Sequence, residues 1–250
     1  MIEEGLSDKI VVIAGGVPEI TEASARLLAT RGAAGLMVCG RGAERGQALA
    51  AIVSAAGCPT HFLPGDLTRP QDCAAVITEA ELVFGRIDVL VVGAGEVPYL
   101  PLEETTPEKL DQLLAAKVRA PFLLLQGAAT LMQRSGRDGI LIVTLGGNGT
   151  DGPRTLAAAA GKGALAAMAR GFAASFAGDG IRVYGLAIDD ERTGATAPPN
   201  AVARAIADLA AGASPAAPGS ITFATATAAK TPTAPAAKVE GRHIICGRSR

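Results

Sequence analysis

Any chemistry in this chain must come from few residues. The stretch Thr144 to Lys162 reads Thr-Leu-Gly-Gly-Asn-Gly-Thr-Asp-Gly-Pro-Arg-Thr-Leu-Ala-Ala-Ala-Ala-Gly-Lys. It runs from an apolar strand through a Gly-rich turn into an Ala-rich helix whose one early charge is Lys162. A lysine so placed can act as a Schiff-base nucleophile or simply bond nearby carbonyls. Near the N-terminus, Gly15-Gly16-Val17-Pro18 follows an apolar run and opens a helix carrying Glu19 and Thr21. A glycine turn feeding a helix is where backbone N–H groups meet phosphate. Arg41 and Asp66 follow the next two apolar runs, so four candidate positions fall at strand ends.

Composition narrows the classes. A chain of 250 residues suits one large α/β domain that needs neither disulfides nor metal to bury its core. A net charge of -1 and the lack of a basic run give no reason to expect nucleic acid or an anionic membrane as partner. Cys39, Cys58, Cys73 and Cys246 are scattered without a Cys-x-x-Cys pair, and His61 and His243 are far apart. That favours reduced structural thiols over a disulfide framework or a metal site. The first strand begins near Lys9 without a basic flank and long apolar core, and no apolar run nears the roughly 20 residues of a membrane span. The expected location is the cytoplasm.

The elements that must position these residues alternate along the chain. Strands are expected at Lys9 to Ala14, Leu36 to Cys39, His61 to Leu63, Val89 to Val92, Ile140 to Leu145 and Arg182 to Ala187. Helices are expected from Ile20 onward, at Ala43 to Ala55, at about Gln71 to Phe84, and at Leu156 to Phe176. Thr106-Pro107-Glu108 is a strong helix start, with a capping hydroxyl, a first-turn proline and an acid at the positive end of the dipole. The helix it opens is expected to be long, reaching about Gln133. This order predicts a single-domain, Rossmann-like, doubly wound parallel sheet flanked by helices, with its crevice at the carboxyl ends of the strands.

The chain resembles the short-chain dehydrogenase/reductase family from Lys9 to about Leu209, and again at an expected closing strand, His243 to Cys246. The resemblance rests on six motifs in order: Ala14-Gly15 before a helix, Asp66-Leu67, Asp88-Val-Leu-Val-Val-Gly-Ala-Gly95, Ala120-Pro121-Phe122-Leu123, Lys162, and Gly180-Ile181-Arg182-Val183. It implies hydride transfer between a nicotinamide cofactor and an alcohol or ketone.

Set against that family, the cofactor turn is damaged. Of its Thr-Gly-x-x-x-Gly-x-Gly pattern only Gly15 remains, and Glu19 and Thr21 fill the other glycine positions. A carboxylate about 4 Å from a phosphate charge costs on the order of 4 kcal/mol at an effective dielectric near 20. Glu19 is therefore expected to substitute internally for a phosphate and, with Thr21, to obstruct nucleotide; an ordinary first-turn acid is the plainer reading. The resemblance assigns Arg41 to the choice between ribose hydroxyl and 2′-phosphate, and Asp66 to the adenine amino group. Both are vestiges beside the altered turn. The family's Asn-Asn-Ala-Gly is Val92-Gly93-Ala94-Gly95 here.

The catalytic set is emptier. The family uses a tyrosine acid/base, a lysine that lowers its pKa, a serine on the substrate oxygen and an asparagine holding a water relay. Lys162 matches the lysine, but Ala158 occupies the tyrosine position one turn earlier. The serine position falls on Gly147 by the strand, or on Leu145 by counting back from the tyrosine position. Lys117 replaces the asparagine, while Pro121 keeps the expected helix kink. Tyr99, Tyr184, Thr144, Asn148 and Thr150 are the polar groups considered as replacements. After Ala187 the chain reaches its next helix by about Pro199, leaving little lid over a substrate.

These losses imply a non-catalytic subunit that binds no cofactor itself and supports an active paralogous NAD- or NADP-dependent dehydrogenase in a hetero-oligomer, expected to be tetrameric. Relatives acting on hydroxyacyl-CoA substrates include such pairs. In the family, the helix from Leu156 and the helix from Pro107 build one interface. The Ala/Thr/Pro-rich insertion at about 212–240, with a strand expected at Ser220 to Thr227, reads as a partner-specific arm or a surface loop. The alternative function is a divergent NAD(P)-dependent oxidoreductase with unfamiliar acid/base residues.

Overall fold

The structure, a computed structural model, describes residues 4–93, 102–146, 156–188 and 197–224. Its seven strands are β1 (Ile10–Gly15), β2 (Gly35–Gly40), β3 (Thr60–Pro64), β4 (Val89–Gly93), β5 (Gly139–Leu145), β6 (Ile181–Ala187) and β7 (Ile221–Phe223). They form one parallel sheet in the order β3-β2-β1-β4-β5-β6-β7. The order reverses between β1 and β4, which places the crevice of a doubly wound sheet at their carboxyl ends.

The apolar runs become strands because alternate residues bury on opposite faces. Val12, Ala14, Leu90, Val92, Leu141 and Val143 face one core, packed under α3 (Pro70–Phe84), α5 (Ala120–Ser135) and α6 (Leu156–Ser175). Val11, Ile13, Val89, Val91, Ile140 and Ile142 face the other, under α1 (Pro18–Thr30), α2 (Ala43–Ala55) and α7 (Pro199–Ala210). Neither face of the central strands is left to water, so these runs contain no polar alternation.

Asp88 anchors the amino-terminal edge of the sheet. Its buried carboxylate accepts from the Ile10 amide at 2.8 Å and from Arg86 Nε at 2.8 Å, and lies 3.4 Å from Arg137 Nε. Charges so deeply placed persist only when paired, and here the pairing ties β1 to β4 and to the approach to β5.

The helix expected from Pro107 to about Gln133 carries its kink as α4 (Pro107–Leu114), a π-helical turn at Ala115–Arg119, and α5. Pro121 explains the break: it has no N–H to offer the carbonyl of Lys117, and its ring crowds that carbonyl. The helix widens instead, and the Ala120 N–H donates to Ala115 O, five residues back. Within the strand expected at Ser220 to Thr227 the described residues form β7 at Ile221–Phe223, beside β6, and residues 225–227 lie outside the described residues. Position His243 to Cys246, along with the rest of the insertion beyond 224, lies outside the described residues.

Candidate functional site

At the carboxyl ends of β1 and β4 the backbone is packed unusually tightly. Gly15 and Gly16 have φ of 73° and 107°, a region that favours glycine. A side chain at Gly93 would place its Cβ 2.4 Å from Gly16 Cα and 2.7 Å from Gly15 O. The β1–α1 turn thus occupies the space that a side chain at the end of β4 would need. Thr21 holds the turn from the other side, its hydroxyl donating to Gly15 O at 3.3 Å. Loss of the amide at position 93 and the form of the turn are two sides of one packing arrangement.

Beside this turn lies a cavity of about 420 Å³, within the range of small-molecule sites. Val38, Leu49, Phe62 and Leu67 form apolar walls, and Gly15, Gly16, Thr21, Arg41 and Asp66 also line it. Four of the sequence candidates, Gly15, Thr21, Arg41 and Asp66, are therefore brought together. Glu19 does not line the cavity: its carboxylate turns outward to Arg45 NH1 at 3.0 Å. Glu22, which the sequence reading passed over, does line it, and lies 3.3 Å from Arg45 NH2. Arg45 on α2 also lines the cavity. Its pairing with α1 was invisible to motif reading because the partners are joined only by the fold.

The charged groups hold their ionised forms for identifiable reasons. The Glu19 carboxyl is held below the usual carboxylate range first by its own backbone N–H in the opening turn of α1, then by Arg45. Glu22 is lowered by Arg26 and then Arg45. Asp66 is lowered by Thr68, whose backbone N–H donates at 3.1 Å and whose hydroxyl donates at 2.8 Å. Asp66 is thus both a turn aspartate and a cavity residue. Cys39, also in the lining, is pushed up to about 12 by burial, then by Cys73 and Asp72.

The catalytic positions fall on α6, on the π-helical turn before α5 and at the end of β5. Lys162 is half-buried in α6, and Ala158 lies one helical turn before it. Lys117 sits within the π-helical turn and is only 4% exposed. It packs against α6 so closely that a Cβ on Gly161 would lie 3.0 Å from Lys117 Cβ. Leu145 is buried at the end of β5, whereas Gly147, Tyr99, Asn148 and Thr150 lie outside the described residues. Tyr184 is buried in the core under α7, and the Thr144 hydroxyl donates to Val92 O at 3.4 Å, within the sheet. Among the described residues no group of three His, Cys, Asp or Glu could hold a metal ion, and no helix is long and apolar enough to cross a membrane.

A dinucleotide fits these residues at one end only. The cavity offers apolar walls and Asp66 for a base, with Arg41 and Arg45 at its rim. At the start of α1, where a pyrophosphate meets helix N–H groups, the turn carries Glu19 and Thr21 in place of glycines, with the Glu19 carboxylate directed outward to Arg45.

The family model for short chain dehydrogenase matches residues 9–201. An uncharacterised oxidoreductase of Thermotoga maritima is 32% identical over 176 residues, 70% of this chain and 68% of the relative. The cis-4-hydroxycyclohexanecarboxylate dehydrogenase of Sinomonas cyclohexanicum is 32% identical over 187 residues, 74% of each chain. A short chain dehydrogenase structure from Mycobacterium smegmatis superposes with a TM-score of 0.78 at 23% identity, covering 90% of this chain and 95% of its own, a likeness of fold.

Proposed function

The chain belongs to the short-chain dehydrogenase family of oxidoreductases, and on that footing we propose that it is a non-catalytic subunit supporting an active paralogous NAD(P)-dependent dehydrogenase. The observation that carries this reading is the pair on α6: Lys162 is kept, and the residue one turn before it is Ala158, which has no hydroxyl to exchange a proton. Lys117, buried against Gly161, puts a lysine where the family's water relay needs an amide. Tyr184 is enclosed in the core and supplies no substitute.

The surface supports association. Phe122 on α5 is exposed and stacks edge-on with Phe172 on α6, ring centroids 5.5 Å apart, and Phe172 continues to Phe176 at 5.9 Å. Leu102, Leu110 and Leu114 are exposed on the segment leading into this helix pair. Apolar side chains grouped in this way favour a protein partner. We assign them to a hetero-oligomer, tetrameric as is common in the family, in which the partner holds NAD or NADP and this chain holds neither. A hydroxyacyl-CoA is the substrate class proposed for the assembly, and the cytoplasm its location.

One observation favours a second reading, a divergent NAD(P)-dependent oxidoreductase: the base end of the crevice survives as a lined cavity with Arg41 and Asp66 in place. Turnover separates the two. The purified chain is incubated with NAD or NADP and secondary alcohols, including cis-4-hydroxycyclohexanecarboxylate. The subunit reading expects no nicotinamide reduction, and sustained reduction by the lone chain overturns it.

A further inference from the structure

Two features at the cavity rim can attract an anion: the N-terminus of α1, a 13-residue helix, and the guanidinium of Arg45. One residue relates to both: Glu19 belongs to the first turn of α1, and its carboxylate lies 3.0 Å from Arg45 NH1. Glu22 takes the other terminal nitrogen of Arg45 at 3.3 Å and is itself bound to Arg26 at 2.9 Å. The bridge joins α1 to α2, the two helices that flank this end of the cavity, and two of its three members line the cavity directly.

We infer that the Glu19–Arg45 bridge is an autoinhibitory contact, an internal anion that occupies the Arg45 cation of the cavity lining and so disfavours nucleoside phosphates while leaving the base pocket intact. A phosphorylated ligand must displace Glu19 from Arg45 and then sit beside the displaced carboxylate. A neutral nucleoside meets neither obstacle. Glu19 and Arg45 are exposed, so their contact is exchangeable and not a permanent seal. A change that neutralises Glu19 or draws it away would open the rim without rearranging the sheet.

The inference concerns binding and stands apart from turnover, so failure of the subunit reading would leave it intact, and the reverse. The test is calorimetric titration of the full chain with adenosine 2′,5′-bisphosphate and, separately, with adenosine. Glu19→Gln is expected to tighten the bisphosphate roughly tenfold, about 1.4 kcal/mol, while leaving adenosine unchanged. In an Arg45→Met background the same substitution is expected to give no gain, because the cation it frees is gone. Equal bisphosphate binding by wild type and Glu19→Gln overturns the inference. So does a gain that persists with Arg45→Met, an equal gain for adenosine, or no binding by any variant.

Discussion

Gly16 fills the side-chain space of Gly93: a Cβ on Gly93 would lie 2.4 Å from Gly16 Cα and 2.6 Å from Gly16 N. The contact joins the end of β4 to the turn before α1 at the point where the sheet order reverses. Both partners are backbone, so neither can rotate away. Gly93→Ala is expected to lower unfolding free energy by about 3 kcal/mol, at the upper end for overpacking. Gly40 ends β2 at the same cavity with nothing within 4 Å of a Cβ, and Gly40→Ala should change stability by no more than about 0.5 kcal/mol. Urea denaturation of the two variants checks the contrast.

Ala158→Tyr returns a hydroxyl one turn before Lys162 but leaves Lys117 in the relay position. The single variant is expected to gain no measurable hydride transfer, because residues that act as a unit do not contribute separately. Single-turnover assays with NAD or NADP and a secondary alcohol check this. Turnover from that one substitution would mean the rest of the machinery was already in place.

Much of this was readable from residue order. The β-branched runs, each ending in glycine or aspartate, gave the strands to within about two residues, because strands covered on both faces have few polar interruptions. Pro121 marked a kink, and the structure shows its form as a π-helical turn closed by Ala120 N–H to Ala115 O. Ala158 and Lys117 could be placed by spacing within helices. The Glu19–Arg45 pair could not, since the residues are 26 apart and meet only when α1 and α2 lie side by side. The Gly93–Gly16 contact was equally hidden: glycine at position 93 looked like the loss of an amide, and only the neighbouring turn shows what fills the space.

Asp88 is expected to be the costliest single carboxylate to remove. Asp88→Ala leaves the Ile10 amide and the Arg86 and Arg137 guanidiniums without their shared acceptor, at a cost of about 3–5 kcal/mol. Arg137→Ala removes only the longer, half-exposed contact and should cost about 1 kcal/mol or less. Thermal or urea unfolding of both variants gives the order.

The buried thiols set an alkaline limit. Burial pushes Cys39 up to about 12 and Cys73 up to about 11, from an ordinary value of 9.0. A thiol whose pKa rises on folding contributes stability that is complete below the unfolded value and is lost as pH rises through the folded one. Stability should therefore hold to about pH 9 and fall between 9 and 12 from these two groups. Replacing both by alanine should flatten that part of the pH profile. At pH 8 Cys39 and Cys73 in the folded chain should resist iodoacetamide, and in denaturant they should react; peptide mapping distinguishes the two.

On the proposed function, this chain completes a dehydrogenase that it does not itself operate. The direct measurement is native mass spectrometry of the tagged chain purified from its own cells, paired with an activity assay of the same sample. The expected result is a heteromer with a second short-chain dehydrogenase that retains the Tyr-x-x-x-Lys pair, with NAD(P)-dependent turnover belonging to that assembly and absent from the isolated chain. A homomer that turns over NAD or NADP unaided would contradict it.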